Sequence, residues 1–268
     1  MAFDRYITPI LIRTAIFTQI NLNTSETGVY MKYKSIYLYA KLSPERNEAV
    51  FSGIKFADFI KYVPIQIQNI LLPKPLYIGE RYVHCFELLE GIDNITRLNF
   101  QNIYNYGNFC FLDYKDPSTI NLITDEQIAE LLYLAHMFKP LISPFFDILQ
   151  NNYVYLSHDD GWYCKIYCRE IDALNSILFN KLTNCINRIS CNRILFLPNI
   201  LIEKITELSS RGLLIELNMS MKKNKTVSIM LYEVGEHESM DYLINNLGNL
   251  YSKPLYNIRL VCGQWEIS

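Results

Sequence analysis

Between residues 193 and 262 the spacing of the apolar side chains changes period repeatedly, and this alternation restricts the possible folds more than any other feature of the chain. Arg193 to Leu197 is a short apolar run stopped by Pro198, which suits a buried strand. Asn199 can cap a helix whose apolar residues Leu201, Ile202, Ile205 and Leu208 follow helical spacing, and Gly212 stands where a helix-terminating glycine belongs. Leu213, Ile215, Leu217, Met219 and Met221 then alternate with polar residues, as a half-buried strand does. Lys222 to Lys225 supply a turn, and Val227, Ile229 and Leu231 alternate again. Met240, Leu243, Ile244, Leu247 and Leu250 return to helical spacing, and beyond Pro254 the residues Tyr256, Ile258, Leu260 and Cys262 form a last alternating run. The order β-α-β-β-α-β is the split βαβ pattern of a ferredoxin-like module.

Upstream, Tyr153 to Ser157 and Trp162 to Cys168 flank His158-Asp159-Asp160-Gly161. Asp-Gly favours a two-residue hairpin turn, because both central residues then take positive φ. With Asp160-Gly161 as that turn, Ser157 opposes Cys164, Tyr155 opposes Ile166 and Tyr153 opposes Cys168. An amphipathic helix follows, with Ile171, Leu174, Ile177, Leu178, Leu182 and Cys185 on one side. Thr124 and Gln127 form a capping box, Ile123 and Ile128 a hydrophobic staple, and Pro140 stops that helix. Ser143-Pro144 reads as the start of another short helix.

In the N-terminal part, Ile10 to Ile20 and Val29 to Tyr39 alternate around a loop at 24–28. Phe56, Phe59, Ile60 and Val63 suit a helix ended by Pro64, and Tyr77–Leu89 and Phe100–Leu112 read as further strands. The expected class is α+β: an N-terminal antiparallel sheet with a helix (1–120), a helical connector (121–152), and a C-terminal region (153–268) in which the ferredoxin-like module follows a hairpin and a helix.

Composition excludes several functions. A formal net charge of −2 argues against coating nucleic acid, which needs clustered Lys and Arg. The strand at 226–232 carries one aromatic residue and no glycine, unlike the base-stacking strand of an RNA-recognition module. No window is apolar enough for a membrane helix, and the N-terminus lacks the uninterrupted apolar core of a signal peptide. A cytoplasmic location is the expectation, with the seven irregularly spaced cysteines reduced. The abundance of Tyr, Ile and Asn is the bias of an AT-rich coding sequence, as in a low-GC bacterium or phage.

No phosphate-cradling glycine loop, nucleophile elbow or zinc-protease motif occurs. Cys164 and Cys168 share a strand face but stand ~13 Å apart, too far to grip one zinc ion. No metal or other cofactor is expected. The richest patch is the hairpin tip, where His158, Asp159 and Trp162 join an imidazole, a carboxylate and an indole. A carboxylate can orient a histidine for acid–base work, with Asp113, Asp116 or Glu170 as a further group. The simpler reading is a turn that requires Asp-Gly and an indole that packs on the sheet. Two functions follow. One is a non-catalytic protein-binding module, such as an inhibitor, immunity-type or adaptor protein, in which tyrosines serve an interface. The other is an enzyme with its site near 158–162. The expected partner is another protein, with no nucleic acid and no membrane, and the catalytic residues and oligomeric state stay open.

Overall fold

A computed structural model describes residues 34–73, 86–100, 109–158, 163–190, 196–220, 226–237, 242–246, 253–261 and 264–267. The alternating segment at 10–20, the loop at 24–28, the turn at 222–225 and most of the hairpin tip lie outside these residues.

Eleven strands are described: β1 (Lys34–Ser43), β2 (Glu48–Ser52), β3 (Asn69–Pro73), β4 (Phe86–Glu90), β5 (Phe109–Asp113), β6 (Tyr153–His158), β7 (Tyr163–Cys168), β8 (Leu213–Ser220), β9 (Thr226–Glu233), β10 (Tyr256–Val261) and β11 (Gln264–Ile267). The longer helices are α1 (Phe56–Tyr62), α2 (Ile92–Phe100), α3 (Asp125–Met137), α4 (Ile171–Ser190) and α5 (Asn199–Ser209). The strands form one antiparallel sheet in the order β11-β10-β9-β8-β1-β2-β7-β6-β5-β3-β4. The chain is therefore of mixed α+β class, and its sheet joins strands of the first region (1–120) with strands of the third (153–268), while the described part of the connector contributes none. The hairpin β1–β2 stitches it together, since β1 pairs with β8 and β2 with β7.

Alternation along the strands divides the side chains between two faces. One face carries the main core: Leu38, Ala40, Phe51, Ile70, Phe111, Tyr155, Ile166, Ile215, Ile229 and Ile258 lie under α1, α2, α4 and α5. Beneath α1, Phe56 and Phe59 meet Phe111, Tyr153 and Tyr155, and the rings of Phe111 and Tyr155 stack at 5.4 Å. Lys181 of α4 pairs with Asp58 of α1 at 2.6 Å. The opposite face holds two smaller cores. Leu131 and Leu134 of α3, with Phe146 and Leu149, cover Leu71, Leu112, Val154 and Leu156. Leu243 and Ile244, in a helical stretch at 242–246, cover Tyr39, Val50, Leu214 and Tyr232.

The β6–β7 register matches the one expected from the Asp-Gly turn, with Tyr153 opposite Cys168 and Ser157 opposite Cys164. The capping box of Thr124 and Gln127 closes reciprocally, at 3.3 and 3.1 Å. Other expectations need correction. The described strands do not follow the ferredoxin-like order: β9 pairs directly with β10, where a split βαβ module would insert its first strand. That first strand, expected at 193–197, lies outside the described residues for 193–195, and Phe196 and Leu197 belong to no strand. Asn199 is the first helical residue of α5, and Pro198 occupies the cap without a side-chain bond. Phe100 ends helix α2 instead of starting a strand, and β5 begins only at Phe109. The connector is helical over 117–122 and α3 only. Ser143 folds back on the Phe145 amide at 3.1 Å, but the next amide, of Phe146, goes to the Asn151 side chain, so no helix propagates.

Candidate functional site

The ends of β3, β5, β6 and β7 that lie beside one another frame a cleft of about 540 Å³, lined by Ile65, Gln66, Gln68, Asp113, Tyr114, Lys115, Asp147, Gln150, Asn152 and Arg169. Asp113 and Tyr114 are buried and form its floor; the side chains of Gln66, Gln68, Lys115, Asp147, Gln150 and Arg169 stand exposed around the mouth.

Three buried polar residues fix this rim. Asn69, at the start of β3, donates from Nδ2 to the carbonyls of Tyr114 and Lys115, both at 3.3 Å. Asp113, the last residue of β5, accepts at Oδ1 from the Asn152 amide at 2.9 Å and the Tyr153 amide at 2.6 Å. Asn151, fully buried, accepts from the Phe146 amide at 2.8 Å and donates to the carbonyls of Pro144 at 3.1 Å and Tyr153 at 3.5 Å. The Ile65 amide donates to the Tyr153 hydroxyl at 3.2 Å and ties the loop after α1 to the same wall. Satisfied buried networks of this kind hold a surface in one conformation. Gln150 takes φ 49, a conformation uncommon for a side chain of its size, within the turn that closes the rim.

Two charges set the chemistry. Burial raises the Asp113 carboxyl from its ordinary 3.8 to about 6, against the lowering pull of the two amides it accepts from and of the nearby Arg169 charge. Arg169 follows β7; its Nε donates to the Asn151 carbonyl at 2.8 Å and its guanidinium lies 5.0 Å from the centre of the Phe145 ring. The cleft thus combines a titratable carboxyl on its floor, an oriented cation on its wall and several amides at its mouth.

The hairpin tip is elsewhere. His158 ends β6, and Asp159 and Trp162 lie outside the described residues. Tyr153 marks the cleft end of β6, so His158 stands ~17 Å away along the strand. Asp113, Asp116 and Glu170 all fall at the cleft end, and the structure does not bring them to the tip. Asp116 instead accepts from the Ser118 amide at 2.8 Å and caps a short helical turn. His136 is exposed on α3, while His237 is half-buried with its ring 5.9 Å from that of Tyr242. Cys164 and Cys168 are buried in the main core, where burial pushes both thiols up. Among the described residues, no group of three or more His, Cys, Asp or Glu side chains is placed to hold a metal ion. Among the described residues, no helix is long and apolar enough to cross a membrane.

Sequence reasoning reached Asp113 only by its charge and missed Asn69, Asn151 and Arg169. Their one local sign is position: asparagines beside strand ends offer side chains that compete for backbone groups. The chain matches no protein-family model, no curated protein and no solved structure.

Proposed function

We propose that the protein is a non-catalytic protein-binding module of the cytoplasm, and that it receives its partner at the cleft between the ends of β3, β5, β6 and β7. The observation that carries this reading is the combination of a rigid rim with an open mouth. Asn69, Asp113 and Asn151 spend their polar atoms on backbone groups and hold the rim, while the exposed donors of Gln66, Gln68, Lys115, Gln150 and Arg169 face outward. Such an arrangement suits a protruding segment of another protein better than a small molecule, which favours enclosure. Preorganisation lowers the entropic cost of association. Met137, at the end of α3, and Leu141 and Ile142 beyond it are exposed and add apolar area in the segment leading to the rim.

The test is comparative capture from native lysate, using tagged wild type and the exposed-residue variant Arg169→Glu/Gln150→Glu. A stoichiometric protein recovered by the first and lost by the second is expected. Equal recovery would move the interface off the cleft, and recovery of no protein would remove the reading.

Catalysis is the second reading, and the observation in its favour is the Asp113 carboxyl at about 6 beside the cleft. It places the acid–base group at the cleft instead of the 158–162 tip. Any turnover that depends on it would rise or fall through pH 6 and vanish in Asp113→Asn.

A further inference from the structure

We infer that the cleft recognises an acidic side chain of its partner, received on the guanidinium of Arg169. This rests on the reading of the cleft as the partner-binding site and names the chemistry that site selects. Arg169 is held by two contacts that leave its fork available: Nε is spent on the Asn151 carbonyl, and the Phe145 ring backs the guanidinium. Among the described residues, its two terminal nitrogens have no hydrogen-bond or ion-pair partner. A planar fork with both outer nitrogens unspent among the described residues matches the two oxygens of a carboxylate.

The surrounding groups favour the same ligand. Lys115 supplies a second cation, and among the described residues its ammonium has no partner. Gln66, Gln68 and Gln150 add amide donors whose side chains are likewise unspent among the described residues. Two carboxyls oppose them. Asp113 lies on the buried floor with Oδ1 engaged by two amides. Asp147 is exposed on the rim, where water screens it, and no contact orients its side chain among the described residues. Asp113 is held on the floor by two amides, so among the exposed charges at the mouth the oriented one is the cation. An oriented cation binds a carboxylate with less ordering cost than an unoriented anion binds an ammonium.

The experiment is an NMR titration of the full chain, reading the Arg169 Nε–H signal and the side-chain amides of Gln68 and Gln150. The probes are N-acetylated, C-amidated pentapeptides with Glu, Gln or Lys at the centre of a Gly-Ser frame. A fourth has Gln at its centre and a free terminal carboxylate. The Glu peptide is expected to move these signals at about tenfold lower concentration than the other three, and Arg169→Lys is expected to erase most of that difference, because a point charge replaces the fork. Loss of the Glu preference, or a preference for Lys or for the terminal carboxylate, overturns the inference and leaves the cleft as a binding site. If no probe moves any cleft signal at millimolar concentration, both the inference and the cleft reading fail.

Discussion

Asp113 shows how one buried side chain ties stability to pH. Its folded-state acidity lies at about 6, against an ordinary 3.8, because burial disfavours the charged form. The folded chain therefore holds this proton more tightly than the unfolded chain. Stability from Asp113 is complete below about pH 4 and is lost as the pH rises through about 6. The displacement corresponds to on the order of 3 kcal/mol. Asn at this position keeps an oxygen acceptor for the amides of Asn152 and Tyr153 but carries no charge to desolvate. Urea unfolding of Asp113→Asn between pH 4 and pH 8 is expected to lose most of the downward slope seen in wild type; an unchanged slope would assign the titration to other groups. Asn151 makes the opposite point. It is fully buried and serves three backbone groups, so Asn151→Ala strands the Phe146 amide and two carbonyls away from water. A cost of about 2 to 3 kcal/mol is expected in the same assay.

At the scale of elements, what was legible in the sequence is what local chemistry decides. The β6–β7 register is the one expected from Asp160-Gly161 as a two-residue turn, and the start of α3 follows from Thr124 and Gln127, two side chains three residues apart. Gly212 belongs to the same class. It takes φ 92 after α5, and a Cβ placed there would sit 1.9 Å from the Gly235 carbonyl oxygen. Its own carbonyl accepts from the Val234 amide at 2.8 Å, so the close approach is part of the β8–β9 pairing. Gly212→Ala cannot be absorbed by a side-chain rotation, and a loss of about 3 kcal/mol or more in thermal or chemical unfolding is expected. A loss below 1 kcal/mol would show that the two strands can part there at little cost. Where competing partners intervene, local signals mislead. Ser143 does bond the Phe145 amide as a cap would, yet Asn151, eight residues downstream, takes the following amide and the helix does not form. Helix α2 carries Ile92, Ile95 and Leu98 at helical spacing, and its last residue, Phe100, is also the first of the run to Leu112 that reads as a strand.

The whole molecule depends on pairings that no local signal carries. Alternation from Val29 to Tyr39 points to a strand, but does not tell that the strand described from Lys34 runs on to Ser43 or that its neighbour begins at Leu213. The cleft is likewise assembled from four segments, around residues 65–68, 113–115, 147–152 and 169, that meet only once the sheet is built. The stitch in that sheet is β1–β2, whose side chains lie in the same continuous core as those of β6 and of β8. Phe51 is fully buried at its centre, with Ala40 opposite on β1 and Cys164 opposite on β7. Phe51→Ala is expected to cost about 3 to 5 kcal/mol, from lost burial and the cavity left behind. If the stitch makes the sheet one cooperative unit, that loss appears equally on both sides of it. Native-state hydrogen exchange measures this at the Leu156 amide of β6 and the Ile215 amide of β8. Equal falls in protection at both amides are the expected result. A fall at one with protection kept at the other would mean that the two wings of the sheet open separately, and that the β1–β2 hairpin joins them in space without coupling their unfolding.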